Sequence, residues 1–240
     1  MKVNDDLRML PVALEFPGRT MVMNLSLILD QERGASLVDA SMPGTEALIE
    51  HALEDEGFSV HDIRQILVTH QDVDHIGALS AIQSASGANV YAHAIEAPYI
   101  EGKTKLAKYP SPERFAENPG VKAMFDNLRF TKVDKTVEDG DVLDFAGGVR
   151  VIFTPGHAPG HVCYYLERSK VLVAGDALTS ENGRLKGPNP GATPDMPLAI
   201  ESCRKLAELP EINAIVTYHG GIVDEDPLDQ LRQVVELLGA

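Results

Sequence analysis

The chain reads as an α/β protein, an αββα sandwich in which two mixed sheets pack face to face and helices flank them on both outer sides. Three observations predict it. In the first third, apolar and β-branched runs alternate with segments of helical period. After residue 140, four short strand-like runs follow one another closely, as in a second sheet. Residue types that bind metals cluster just past the ends of these runs, where open α/β sheets place their chemistry.

Taken in order, residues 7–14, 22–29 and 36–39 are extended and 45–53 are helical, with Pro43 and Gly44 breaking the chain between them. Residues 63–69 form a short β-branched strand, and from His75 through Ile82 apolar side chains recur at helical spacing. Gly77, one turn into that helix, allows close backbone approach to a neighbouring strand. A strand at 89–93 and a helix at 94–100 follow. From 101 to about 134 the pattern weakens, because Lys103, Lys105, Lys108, Pro110, Pro112, Pro119 and Gly120 interrupt any period. This stretch is expected to be an inserted, partly helical segment. Strands at 142–145, 149–154, 162–166 and 171–174 build the second sheet, and a helix at 198–209, a strand at 214–218 and a helix at 228–238 complete the chain.

At 240 residues, with no Ser-rich or Gly-rich linker and no internal repeat, the chain is expected to form one domain, residues 1–240, with a large core. No apolar run approaches the roughly 20 residues a bilayer span requires. The first residues carry acids and lack the apolar segment of a secretory signal, so the cytoplasm is the expected compartment. Cys163 and Cys203 have neither zinc-knuckle nor redox spacing and are expected to be buried small apolar residues. Lys and Arg total 21 against 36 Asp and Glu, a net charge of -15 that repels phosphate backbones and argues against nucleic-acid binding. The expected partner is a small-molecule substrate, and a homodimer is compatible with the chain.

The most informative residues are His70-Gln71-Asp72-Val73-Asp74-His75, which put four metal-binding side chains directly after the strand ending at Thr69. Imidazoles and carboxylates crowded this closely repel one another and desolvate poorly unless a cation neutralises them. In an extended turn, residues two apart point the same way, so His70, Asp72 and Asp74 share one side while His75 opens the following helix. Three further candidates, His157, Asp176 and His219, each end a strand-like run. His157 lies in the loop Thr154-Pro155-Gly156-His157-Ala158-Pro159-Gly160-His161, whose two bends fix it in place. His161 is assigned a hydrogen-bonding role behind the ligands rather than a bond to metal. Seven ligands exceed what one tetrahedral ion uses and suit two ions sharing a carboxylate.

This set resembles the metallo-β-lactamase superfamily of metallohydrolases, whose signature is H-x-H-x-D-H followed by separated His, Asp and His ligands. The resemblance spans nearly the whole chain. It implies that His70, Asp72 and His157 bind one ion, that Asp74, His75 and His219 bind a second, and that Asp176 bridges the two. It also supports the αββα fold, and it matches Asp39 to the early Asp that buttresses the metal loop. The chain departs from the signature at one point: Asp72 stands where the second His is usual. A carboxylate there hardens the first site and shifts its preference from zinc toward iron or manganese.

Two divalent ions about 3.5 to 4 Å apart can hold a bridging hydroxide near neutral pH and polarise the bond under attack. The expected reaction is hydrolysis of an ester, lactone or thioester, with Asp74 as the catalytic carboxylate that orients the nucleophile and passes its proton to the leaving group. Substrate choice is assigned to the 101–134 segment and the loop 178–197, where Tyr99, Tyr109, Phe115 and Phe125 are candidate pocket walls and Lys103, Lys105, Lys108 and Lys186 candidate anion contacts. His93, at a strand end, is a weaker candidate for the site, and His51 and His61 are assigned to the surface. The rival reading is a non-haem iron redox enzyme, a persulfide dioxygenase or a diiron type. A nuclease and a non-enzymatic metal-binding module rank below it.

Overall fold

The computed structural model describes residues 1–16 and 18–239. The chain opens with a hairpin of β1 (Leu7–Phe16) and β2 (Arg19–Asp30), then β3 (Gly34–Val38), helix α1 (Glu46–Asp55) and β4 (Ile63–Leu67). Two short helices, α2 (Val73–Ile76) and α3 (Leu79–Ser86), lead to β5 (Asn89–His93). Helix α4 (Ala97–Ile100) precedes the expected insertion, which carries α5 (Pro112–Glu117) and α6 (Pro119–Asn127), and β6 (Lys135–Val137) closes the first sheet. Its order is β1-β2-β3-β4-β5-β6, antiparallel up to β3 and parallel beyond.

The second half supplies β7 (Val142–Leu143), β8 (Val149–Phe153), β9 (Val162–Leu166), β10 (Val171–Gly175), a small hairpin of β11 (Thr179–Glu181) and β12 (Arg184–Lys186), helix α7 (Met196–Ala207), β13 (Ala214–Thr217), β14 (Gly221–Val223) and helix α8 (Pro227–Leu238). The second sheet runs β14-β13-β10-β9-β8-β7, with β10 and β13 parallel and the other neighbours antiparallel. Both sheets are therefore mixed, as expected. Alternation along each strand builds the layers. Leu7, Met9, Ile28, Val38, Val162, Tyr164, Val171 and Val173 meet between the sheets. The residues next to them point outward, Leu10, Leu25 and Leu37 toward one helical layer and Cys163, Tyr165 and Leu172 toward the other.

Four details differ from the sequence reading. The helix expected from His75 to Ile82 is broken in two, because the Gly77 and Ala78 N–H groups donate to the carbonyls of Ser41 (2.7 Å) and Ala40 (3.0 Å) instead of continuing one helical ladder. Gly77 does allow a close approach, but to the loop after β3 and not to a strand: a Cβ there would lie 2.2 Å from Met42 C and Pro43 N. Of the helix expected over 94–100, only Ala97–Ile100 forms. The short strands β6, β11, β12 and β14 escaped the sequence reading, since three residues carry too little alternation to register. Among the described residues, no helix is long and apolar enough to cross a membrane.

Candidate metal centre

Parallel pairing brings the separated ligand candidates together. Val38 pairs with Leu67, so Asp39 emerges beside the start of the 70–75 turn and its N–H donates to Leu67 O (2.9 Å). Gly175 pairs with Thr217, which places Asp176 near His219. His157 arrives from the loop between β8 and β9, tied to the first sheet where Val162 N–H donates to Thr69 O (3.1 Å).

Six of the seven residues fall into two clusters of candidate donor atoms, His70, Asp72 and His157 in one and Asp74, His75 and His219 in the other, and a third set of His70, His75 and Asp176 straddles them. In the first, Asp72 Oδ2 lies 3.3 Å from His70 Nε2 and 3.1 Å from His157 Nε2. In the second, Asp74 Oδ2 lies 3.2 Å from His219 Nε2 and 4.0 Å from His75 Nε2. Asp176 stands between them, with Oδ1 3.4 Å from His75 Nε2 and Oδ2 3.3 Å from His157 Nε2 and 3.5 Å from His219 Nε2. Ligands about 2.0–2.1 Å from a tetrahedral ion are about 3.3–3.4 Å from one another, close to most of these separations. The helix begins at Val73, so Asp74 turns away from Asp72 toward the second cluster and does not share a side with His70 and Asp72 as an extended turn would have it.

The surrounding hydrogen bonds fix which nitrogen of each ring is free. Thr69 donates its N–H to Asp39 Oδ1 (2.8 Å) and its hydroxyl to Asp39 Oδ2 (2.7 Å), and His75 Nδ1 lies 2.8 Å from the same Oδ2. A carboxylate only accepts, so Nδ1 of His75 carries a proton, and Nε2 is the nitrogen that can face an ion once the ring is neutral. With its own proton given to Asp39, the Thr69 hydroxyl accepts from His70 Nδ1 (3.0 Å), and His70 Nε2 is likewise left free. His161 is different: its Nε2 accepts the Asp176 N–H (3.1 Å) while Nδ1 faces Thr154 Oγ1 (2.8 Å), so it holds the backbone of Asp176 and has no lone pair left for an ion.

Fully buried, His70 Nε2, His75 Nε2 and Asp176 Oδ1 make no hydrogen bond. Buried polar atoms without partners are rare and costly, and three that converge on one point fit a cation. Burial pushes the His70 imidazole down to about 4, so at neutral pH it is in the uncharged form, the one able to bind a metal. Burial also disfavours charge on His75, but Asp176, Asp39 and Asp74 outweigh it and hold that imidazole well above its ordinary value. Three carboxylates competing for one imidazolium is the electrostatic signature of a site short of positive charge.

Several supporting residues carried no sequence signal. Tyr218 packs its ring on His75 at 3.9 Å between centroids and donates its hydroxyl to Asp74 O (2.6 Å). Glu96, fully buried, accepts N–H bonds from Gln71 (2.8 Å) and Gly160 (2.6 Å), clamping the loop of His70 and Asp72 to the loop of His157. Burial, with the backbone bonds opposing it, pushes the Glu96 carboxyl up from 4.5 to about 7. The sign follows directly: the folded state holds this proton more tightly, so its contribution to stability is complete below about 4.5 and lost as pH rises through about 7. Metal-free wild type is therefore expected to lose roughly 3 kcal/mol relative to Glu96→Gln across that window. Denaturant melts of both proteins at pH 4.5 and 7.5 check it, and parallel pH dependences would show that Glu96 does not titrate there.

Other candidates fall away from the metal-binding atoms. His93 stacks on Phe153, 4.6 Å between centroids, and accepts the Ile95 N–H. Lys103 pairs with Glu101, Lys186 pairs with Glu181, and Lys105 sits over the Tyr109 ring. His51 and His61 are exposed, and Cys163 and Cys203 are buried free thiols. Tyr109, Phe115 and Phe125 form an edge-on trio, and Phe125 also lines a small cavity of about 120 Å³ beside Asp72, Asp74 and Lys108.

The family model for the metallo-beta-lactamase superfamily matches residues 19–216, most of the chain and six of the seven donors, with His219 just past its end. The chain belongs to the metallo-β-lactamase superfamily. It is a metal-dependent hydrolase of that superfamily, whose members bind divalent metals. A probable metallo-hydrolase of Bacillus subtilis (strain 168), YflN, is 34% identical over 202 residues, 77% of this chain and 74% of that protein. The hydroxyacylglutathione hydrolase of Rhizobium meliloti (strain 1021) is 30% identical over 156 residues, 65% of this chain but only 48% of the relative. Among solved structures, a metallo-beta-lactamase family protein from Thermus thermophilus superposes with a TM-score of 0.75 at 29% identity, covering 99% of this chain and 79% of that one.

Proposed function

We propose that this superfamily member cleaves a small-molecule ester, lactone or thioester at a centre of two divalent ions, and that thioesters are the first class to test. The observation that carries this reading is the pair of donor clusters joined by Asp176, with buried polar atoms on His70, His75 and Asp176 that make no hydrogen bond to any described residue. His70, Asp72 and His157 would hold one ion, Asp74, His75 and His219 the other, and Asp176 both. The thioester preference draws on the hydroxyacylglutathione hydrolases, whose named substrate is a thioester and whose partial match makes it a proposal for this chain.

Bound ions would supply a water activated to hydroxide near neutral pH and a Lewis acid for the carbonyl oxygen. The protein supplies the rest. Asp74 turns Oδ2 toward the second cluster, leaving Oδ1 to orient the attacking water and carry its proton to the leaving group. In the metal-free chain the charge on His75 lowers the Asp74 carboxyl below its ordinary range despite burial, and a bound cation would favour the ionised form in its place. An open cavity of about 640 Å³ beside His219, lined by Ser180, Lys186, Pro188 and Asn189, has the size of a small-molecule groove and belongs to the loop to which substrate choice is assigned.

The test compares metal-depleted and reloaded protein on thioester, lactone, aryl ester and phosphodiester panels. Hydrolysis is expected only in the reloaded form, and Asp74→Asn is expected to lower kcat by about 10²- to 10⁴-fold. Undiminished hydrolysis by the metal-free chain overturns the reading. A redox reading rests on one observation, the carboxylate of Asp72 in the first cluster, which favours hard ions such as iron or manganese. Bound iron with oxygen consumption and no hydrolysis would put it in place of the hydrolytic one.

A further inference from the structure

The inserted segment delivers a cation into the metal centre. Lys108 places Nζ 2.6 Å from Asp72 Oδ2 and 2.8 Å from His157 Nε2, bonding to two of the three donors of the first cluster. The placement is built and not incidental. Gln71, fully buried in the metal loop itself, accepts the Ala107 N–H on Oε1 (2.6 Å), pinning the backbone one residue before Lys108. Leu106 is buried in the core on the other side of that pin, and Glu96 fixes Gln71 in turn. The second cluster, Asp74, His75 and His219, has no such ammonium among its ion pairs with the described residues.

An ammonium and a divalent ion cannot both use the lone pairs of Asp72 Oδ2 and His157 Nε2. We propose that Lys108 is a tethered competitor for the ion at His70, Asp72 and His157, so that the two ions load unequally. The Asp74–His75–His219 ion binds first and tightly; the other binds only by displacing the side chain. Its apparent affinity is reduced by the fraction of time the site is free, about tenfold if the ammonium occupies it nine-tenths of the time. The inference rests on the two-ion reading above but concerns binding and not turnover.

Calorimetric titration of the metal-free full chain with Zn²⁺, and separately with Mn²⁺, tests it. Wild type is expected to show two steps at least about tenfold apart. Lys108→Met is expected to strengthen the weaker step by about tenfold and leave the tighter one within twofold, while Lys108→Arg keeps the gap. Lys105→Met removes the same charge from the same segment and is expected to move both steps alike. His157→Ala should abolish the weaker step and His219→Ala the tighter. Equal steps in wild type, or a Lys108→Met protein whose steps are unchanged or shifted together, overturns the competition while leaving the two-ion hydrolase intact. A chain that binds neither ion overturns both.

Discussion

Asp176→Ala is expected to lower hydrolytic turnover by at least about 10³-fold, since metal ions supply several kcal/mol of transition-state stabilisation at tenfold per 1.4 kcal/mol. The size of the effect comes from position. Asp176 is the carboxylate within 3.5 Å of His75, His157 and His219 together, so its loss damages both clusters at once, whereas loss of any imidazole damages one. Its N–H bond to His161 survives the substitution, and β10 keeps its pairing with β9 and β13, so the fold is expected to persist. Elemental analysis and kinetics on the same preparation check the claim. Retention of two ions per chain together with wild-type turnover would remove Asp176 from the centre.

Gly220→Ala is expected to destabilise the protein by about 3–5 kcal/mol, the sum of backbone strain and overpacking against backbone atoms. Gly220 has φ +124° and follows His219, and a Cβ there would fall 1.9 Å from Ser180 O. The neighbouring bond from Ser180 N–H to His219 O (3.1 Å) ties β11 to the ligand-bearing turn, so relief of the clash must move His219. Thermal melts and metal titration should therefore fail together. Gly120→Ala, at a position with negative φ and nothing within 4 Å of the added carbon, is the control and should stay within about 0.5 kcal/mol of wild type. Equal effects from the two glycines would show that the close approach at Gly220 is not what holds the turn.

How much of this was legible in sequence follows from what each feature depends on. The strands and the ligands at their ends depend on local alternation and on residue type, and both are visible one segment at a time. His70, Asp72, Asp74 and His75 announce themselves by crowding, and His157, Asp176 and His219 by following apolar runs. Glu96 and Gln71 do not, because their partners lie 25 to 64 residues away in Gly160 and each other and no periodicity encodes such a bond. Lys108 was one of several lysines in an unpatterned stretch, and only the pin at Ala107 distinguishes it from Lys105 three residues earlier. The break at Gly77 was hidden for a related reason: the apolar spacing continues across it, while the N–H groups are diverted by a loop more than thirty residues upstream.

The donors are divided between the halves of the chain, His70, Asp72, Asp74 and His75 after β4 and His157, Asp176 and His219 after strands of the other sheet. Neither cluster is complete within one half. A polypeptide severed between Val137 and Val142 would yield two fragments, each carrying an unfinished coordination shell. Ion uptake would then report their reassembly, and the metal would act as a rivet between two halves otherwise joined by hydrophobic contact and by cross-bonds such as Gly160 N–H to Glu96 and the Tyr218 hydroxyl to Asp74 O.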